Sequence, residues 1–339
     1  MLSKNGDHDF HVNIRALDHH LAKRYLFSAE AVEALGPPRQ PTEEISARHQ
    51  NIAASAQRVL EDTVLYLLKG LGEQTGEENL CLAGGVAFNS VMNGRIMTES
   101  AFKRFFIQPA AGDAGCSLGA ASLIYHRLLK KPRRFRMQHA YYGPGFTSEQ
   151  CAAALAAADL KYETLPDEEL LPRVARIIAD GGIIGWFQGR MEFGPRALGN
   201  RSFIADPRRA DMRELLNKKV KLREWFRPLA PSMLEEASER IFGHPHRDPF
   251  MLTVLSRGAR ARAHPGRRAH RRHRPPANRQ QSYQSALLEF DSRVRASDRR
   301  ADAAQYFLIF KSPSFAAPKT RSKLSRARAS TAWCWKIIW

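Results

Sequence analysis

The sequence predicts an α/β layer architecture, and three observations carry that expectation. Amphipathic helical stretches alternate with short, wholly apolar segments, and these follow the order helix, strand, glycine turn, helix. A composition of 43% hydrophobic and 26% charged residues is that of a globular chain, which excludes a peptide hormone, a fibrous repeat and a wholly disordered protein. The 339 residues leave room for two ordinary domains of roughly 100–200 residues each.

Residues 10–47 carry no clean period and contain the Gly36-Pro37-Pro38 break, so they read as loop and short helix. From His49 to Leu71, apolar residues including Ile52, Ala56, Val59, Leu60, Val64 and Leu68 recur every three or four positions. That spacing predicts an amphipathic helix ended by Gly70. Asn79 to Ala83 reads as a short strand running into Gly84-Gly85. A helix over 86–97, a strand from Phe102 to Gln108 and a helix from Cys116 to Leu129 follow. Residues 1–130 form the expected first domain, and the basic, proline-containing stretch 131–140 is the expected linker.

The expected second domain spans 141–255. Thr147 and Ser148 can cap a helix reaching Asp159, with Glu149 adding charge suited to its N-terminal end. Leu170 to Ala179 reads as a helix stopped by Gly181-Gly182, Ile183 to Phe187 as a strand, and 211–222 as helical. Past about residue 255 the periodicities fail, and residues 256–339 read as a basic tail of low order.

The charge follows the same division. Lys and Arg number 53 against 34 Asp and Glu, a net charge of +19, but residues 251–339 alone contribute +16. The body is nearly neutral, so the overall excess argues for a nucleic-acid partner only through the tail. No apolar run approaches the ~18 residues of a membrane span, and the N-terminal residues lack the charged-then-apolar order of a secretory signal, so the expected location is the cytoplasm. Cys81, Cys116, Cys151 and Cys334 show no CxxC spacing, and the first three, set among small apolar residues, read as ordinary buried thiols.

Three segments carry candidate chemistry. Leu82 to Asn89 delivers two glycines to a helix start, where close main-chain approach and free N–H groups favour a phosphate, although strand-to-helix turns also use Gly-Gly for packing. Pro109 to Gly115 surrounds Asp113 with small residues, leaving space for a metal or ligand; the plainer reading is a carboxylate capping the next helix. Gly189 to Ser202 holds three arginines among Gly, Pro and Asn directly after a strand, a rigid setting in which guanidinium forks converge on an anion. Lys218, Lys219, Lys221, Arg223 and Arg227 follow, with Trp225 and Phe226 among them. Of these, Lys218, Lys219 and Arg223 read as a solvated face, and Arg196, Arg227 and Lys221 as anion-binding.

At these segments the sequence resembles the O-carbamoyltransferases of the nodulation and antibiotic-tailoring type. The matching stretches are LAGGVAFNSVMNGRI at 82–96, FIQPAAGDAGCSLGAA at 106–121, YYGPGF at 141–146, GWFQGRMEFGPRALGNRSFIADPR at 185–208 and LNKKVKLREWFRPLAPSML at 216–234. ISARHQNIAASAQRVLED at 45–62 extends the likeness, which covers roughly residues 10–255. The resemblance implies an incomplete actin-like ATPase domain followed by a smaller α/β domain of the carbamoyl-adenylate-forming (YrdC-like) type. It also implies ATP, a divalent metal of iron type, carbamoyl phosphate and a sugar hydroxyl acceptor, here a lipo-chitooligosaccharide.

Carried over by motif position, Arg196, Lys221 and Arg227 would hold carbamoyl phosphate, with Arg196 and Lys221 acting in catalysis. Gly84, Gly85 and Asn89 would seat the nucleotide, and Asp113 would be one metal ligand. Two departures from the family pattern stand out. The half that carries its HxxxH metal histidines would precede this chain. Residues 256–281 and 296–339 are rich in Arg, Ala, Ser and Pro, whereas Tyr283 to Asp291 again looks like family sequence. A change of reading frame near residue 256 is the expected cause, with a functional basic tail as the alternative. An inactive remnant, or a chain that binds nucleic acid through its tail, is the rival functional expectation.

Overall fold

The computed structural model describes residues 2–6, 8–14, 27–209, 211–233, 239, 242, 246–255, 306–311 and 331–333. Helices and small sheets are mixed along the chain, as the α/β expectation requires, and the chain divides into two units, Met1–Gln108 and Pro109–Trp339.

The first unit opens with an antiparallel hairpin of β1 (Leu2–Asn5) and β2 (Asp9–Val12), followed by the short helix α1 (Ala29–Leu35) capped by the Ser28 hydroxyl. The long helix α2 runs Ala47–Thr75, so the expected stop at Gly70 is corrected. Gly70 lies inside the helix because the hairpin approaches it: a Cβ there would sit 2.3 Å from the His8 side chain. The helix ends instead at Gly76, whose φ of +65° places it in the left-handed region that a C-terminal cap uses.

β3 (Asn79–Leu82) leads through a 3-10 turn at Gly85–Phe88 into α3 (Ser90–Glu99) and then β4 (Arg104–Ile107), which pairs parallel with β3. Leu68, Leu80, Met92, Ile96 and Phe102 form the core of this β-α-β arrangement.

In the second unit a 3-10 turn at Asp113–Gly115 enters α4 (Cys116–Leu123), which continues as a π turn to Leu128; residues 131–140 have no regular secondary structure. Helix α5 (Ser148–Ala157) begins at a capping box. The Thr147 hydroxyl accepts the Gln150 N–H, and the Gln150 side chain accepts the Thr147 N–H. Helix α6 (Asp167–Ala179) starts earlier than its apolar period suggests, because Pro166 and the acidic Asp167, Glu168 and Glu169 suit a helix N-terminus.

β5 (Ile183–Phe187) pairs antiparallel with β6 (Arg201–Ala205), and both strands are buried throughout. The remaining elements are α7 (Met212–Leu215), running on as a π turn to Val220, then β7 (Ala230–Met233), β8 (Tyr306–Lys311) and β9 (Thr331–Trp333). The sheet order is β7-β8-β6-β5-β9.

Burial on both faces follows from alternation. Ile184, Trp186 and Ile204 point to α6, packing on Leu171, Val174, Ala175 and Ile178. Ile183, Phe187, Phe203 and Ala205 point the other way, onto Cys151, Met212 and Leu216 of α5, α7 and the π turn. The sheet is thus sandwiched between helices, and its β5–β6 connection emerges from a closed interior.

The thiol expectation is corrected in part. Cys151 is buried, but Cys81 points outward from β3, and Cys116, in the first turn of α4, is exposed; Cys334 lies outside the described residues. In the tail, β8 and β9 are strands, whereas Tyr283–Asp291 and most of 256–339 lie outside the described residues. Among the described residues no helix is long and apolar enough to cross a membrane.

Truncation of Ile184, which is fully buried between β6 and α6, to Ala is expected to cost about 2–5 kcal/mol. Val59, 46% exposed on α2, should tolerate Ala within about 0.5 kcal/mol. Urea midpoints of the two variants check the difference.

Candidate active site

The connection from β5 to β6, residues 188–200, carries the arginine motif, and its geometry comes from two buried ions. Arg201 is fully buried at the first position of β6. Its guanidinium donates to the carbonyls of Gln188 (2.5 Å), Asn200 (3.0 Å), Gly189 (3.1 Å) and Pro144 (3.3 Å), and its plane lies 3.7 Å from the Phe187 ring centroid. Burial pulls its pKa down to about 10.

Glu192 is the complementary ion. One carboxylate oxygen accepts the N–H groups of Leu198 (2.7 Å), Asn200 (2.9 Å) and Arg201 (3.3 Å). Arg190 donates to the carbonyls of Gly143 (2.9 Å) and Tyr142 (3.0 Å), tying the loop to the YYGPGF segment. Two of the three arginines expected to converge on an anion are therefore committed to main-chain carbonyls. The third, Arg196, is half-buried; burial lowers its pKa, and the charge that opposes this is Asp248. Asp248 itself accepts the main-chain N–H groups of Leu252 and Thr253 and the Thr253 hydroxyl.

Gly194 (φ +130°) and Gly199 (φ +105°) bracket Arg196 in conformations that favour glycine. A Cβ on Gly194 would lie 2.6 Å from the Pro109 carbonyl oxygen, so the arginine loop and the PAAGDAG segment touch through main chain.

The second basic loop, 221–228, is organised by Asn217, a fully buried side chain that sequence reasoning missed. Its amide donates to the carbonyls of Trp225 (3.1 Å) and Arg227 (2.9 Å), and its oxygen accepts from Arg223 Nε (2.6 Å). Arg223 is thus a half-buried structural donor, which corrects its reading as a solvated side chain; Lys218 and Lys219 are exposed as expected. Lys221 is half-buried, its ammonium 5.8 Å from the Phe203 ring centroid. Burial, reinforced by Arg223, pulls its pKa to about 8. Arg227 is exposed and paired with Glu224 at 2.7 Å, and its charge reaches Arg223. The structure therefore gathers Lys221, Arg223 and Arg227 in one electrostatic neighbourhood, while the charge acting on Arg196 is that of Asp248.

In the first unit, Gly84 (φ +97°) and Gly85 are exposed, and among the described residues nothing lies within 4 Å of a Cβ at either. Main-chain access for a phosphate is open. Asn89 caps α3, accepting the Met92 N–H at 3.0 Å, and exchanges two hydrogen bonds with the Gln57 amide. Asp113 is exposed in the first turn after Gly112, and among the described residues no group of three or more His, Cys, Asp or Glu side chains assembles. A single exposed carboxylate is not an iron site, and the residues described do not fit one.

Sequence comparison agrees with the motifs. A family model described as carbamoyltransferase N-terminus matches residues 6–122, and one described as carbamoyltransferase C-terminus matches 175–289. The chain belongs to the carbamoyltransferase family. The C-terminal carbamoyltransferase match takes in the arginine loop, the Asn217 loop and, beyond residue 256, most of YQSALLEFD. An uncharacterised Synechocystis protein is 48% identical over 64% of this chain and 36% of its own length. Nodulation protein NolNO of Sinorhizobium fredii is 44% identical over 61% of the chain and 31% of its own length; NolO of Bradyrhizobium diazoefficiens is 42% identical over 61% and 39%. The chain spans between about a third and two fifths of the length of these relatives.

The depressed Lys221 pKa yields a pH test. Between about 8 and its ordinary value the folded chain has lost a proton that the unfolded chain keeps, so this residue's unfavourable contribution to stability fades as pH rises through that window. A bound anion restores the ammonium. Should inorganic phosphate bind beside Lys221 near pH 8, it is expected to take up a proton, seen by calorimetry in buffers of different ionisation enthalpy, and Lys221→Met should abolish the uptake.

Proposed function

We propose that this chain is the part of an ATP-dependent O-carbamoyltransferase that holds carbamoyl phosphate and ATP, passes through carbamoyl-adenylate, and delivers the carbamoyl group to a sugar hydroxyl. A lipo-chitooligosaccharide is the acceptor favoured, in keeping with the nodulation proteins among its relatives. The observation that carries the reading is that each of two cationic loops is fixed by a buried polar side chain, Glu192 in one and Asn217 in the other, within a chain matched by both carbamoyltransferase models.

Carbamoyl phosphate is a small dianion. Arg196 offers a planar fork to its phosphate, and Lys221 and Arg227 offer point and fork charges from the second basic loop. Because both loops are pre-shaped, charge developing on oxygen as the carbamoyl group is activated meets donors that need little reorganisation. Main-chain groups at Gly84 and Gly85 seat the adenylate phosphate, with Asn89 setting the start of the helix behind them. In the transfer step the acceptor hydroxyl oxygen bonds to the carbamoyl carbon, its proton leaves, and the bond to AMP breaks. An iron-type metal in this chemistry would draw on ligands other than Asp113 alone.

The direct test combines the chain, ATP, labelled carbamoyl phosphate and a chitooligosaccharide acceptor. Arg196→Ala is expected to lower carbamoyl transfer by about 100-fold or more, the scale on which one pre-organised donor acts, while Lys218→Ala should stay within about 2-fold as an exposed charge. An undiminished Arg196→Ala variant refutes the assignment.

A further inference from the structure

We propose that Glu192 is a positioning residue: its buried carboxylate, together with the Tyr141 hydroxyl, fixes the main chain on both sides of the Leu198 Cα and thereby sets the direction of the Arg196 guanidinium. The inference rests on the reading of Arg196 as a ligand of carbamoyl phosphate and extends it to residues that do not touch the anion.

The geometry is a clamp on a single residue, through the two peptide groups that flank its Cα. Glu192 accepts the Leu198 N–H at 2.7 Å, and the Tyr141 hydroxyl donates to the Leu198 carbonyl at 2.7 Å. The same carboxylate oxygen takes the Asn200 and Arg201 N–H groups, so the chain leaving Glu192 is folded back onto it within a few residues. Arg196 lies inside that closed turn. Pro195 fixes its own φ immediately before Arg196, and Gly194 rests against the Pro109 carbonyl. Phe193 N–H donates to the Ala140 carbonyl at 2.6 Å, next to Tyr141, so the same short segment restrains the loop at both ends.

Glu192 is 2% exposed, so its three donors have little water to turn to if the carboxylate is lost. Its second oxygen is buried and takes no hydrogen bond among the described residues. The interaction that matters is therefore acceptance by one oxygen, which glutamine also offers through its amide carbonyl.

A double-mutant cycle on the full chain separates this role from general stabilisation. Carbamoyl phosphate binding is measured by calorimetry, and amide exchange is followed over residues 193–201. Tyr141→Phe should weaken binding about 3- to 10-fold and Glu192→Ala by more than about 10-fold, with Glu192→Gln recovering most of the loss. Either change placed on Arg196→Ala should add less than about 2-fold, because the effect runs through that guanidinium. Exchange at Leu198 and Asn200 should quicken in Tyr141→Phe without spreading into α6 or β5.

Equal losses with and without Arg196 overturn the proposal, as does unchanged exchange in the loop. Should the unaltered chain bind no carbamoyl phosphate, the functional reading fails. The exchange data then decide the positioning claim, with quickening confined to the loop supporting it and any other pattern overturning it.

Discussion

The hairpin of β5 and β6 is buried on both faces, and the arginine loop inherits its character from that fact. Thirteen residues connect two strands that have no solvent face, so the peptide groups leaving the sheet have to find partners inside the protein. Arg201 carries only donors and meets four carbonyls; Glu192 carries only acceptors and meets three N–H groups. Neither ion is spent on the other by direct contact. Each replaces water around one half of the loop's main chain, which costs desolvation but leaves a single geometry in place of many.

That arrangement changes what the arginines mean. A sequence with three arginines in a Gly/Pro loop reads as an anion trap, and the residue types alone cannot separate a guanidinium facing a ligand from one facing carbonyls. Arg190 and Arg201 turn inward, while Arg196, placed between two left-handed glycines, is carried on the turn they support. The loop has one arginine to present and two to hold its shape.

Much of the architecture was legible because it rests on local signals. The period of α2, the strand Ile183 to Phe187, the Thr147 cap and the Gly84-Gly85 turn depend on neighbours in sequence, and all four stand where expected. The departures arise from distant partners. Gly70 reads as a helix stop until His8, from the hairpin, occupies the space a side chain would need. β6 was hidden because Arg201 and Ser202, a charged and a polar residue, open the strand before its apolar Phe203 to Ala205. Glu192 left one faint trace, a lone acid inside a Gly/Pro loop, and Asn217 left none, since an asparagine within a lysine-rich turn resembles any solvated polar residue. Its role lies in reaching the carbonyls of Trp225 and Arg227, eight and ten residues away.

The two loops share a design that bears on why their cations are there. In each, a buried polar side chain holds the main chain, so the basic residues displayed are not needed to hold the turn together by charge. Glu224 opposes the charges of Arg223 and Arg227, paired with Arg227 and exposed to water that weakens it. Burial first, and the crowding of positive groups second, disfavours the charged forms of Lys221 and Arg223 and lowers their pKa values. On the proposed function, with the main chain fixed by Asn217, an arriving dianion would remove part of that repulsion and gain affinity from doing so.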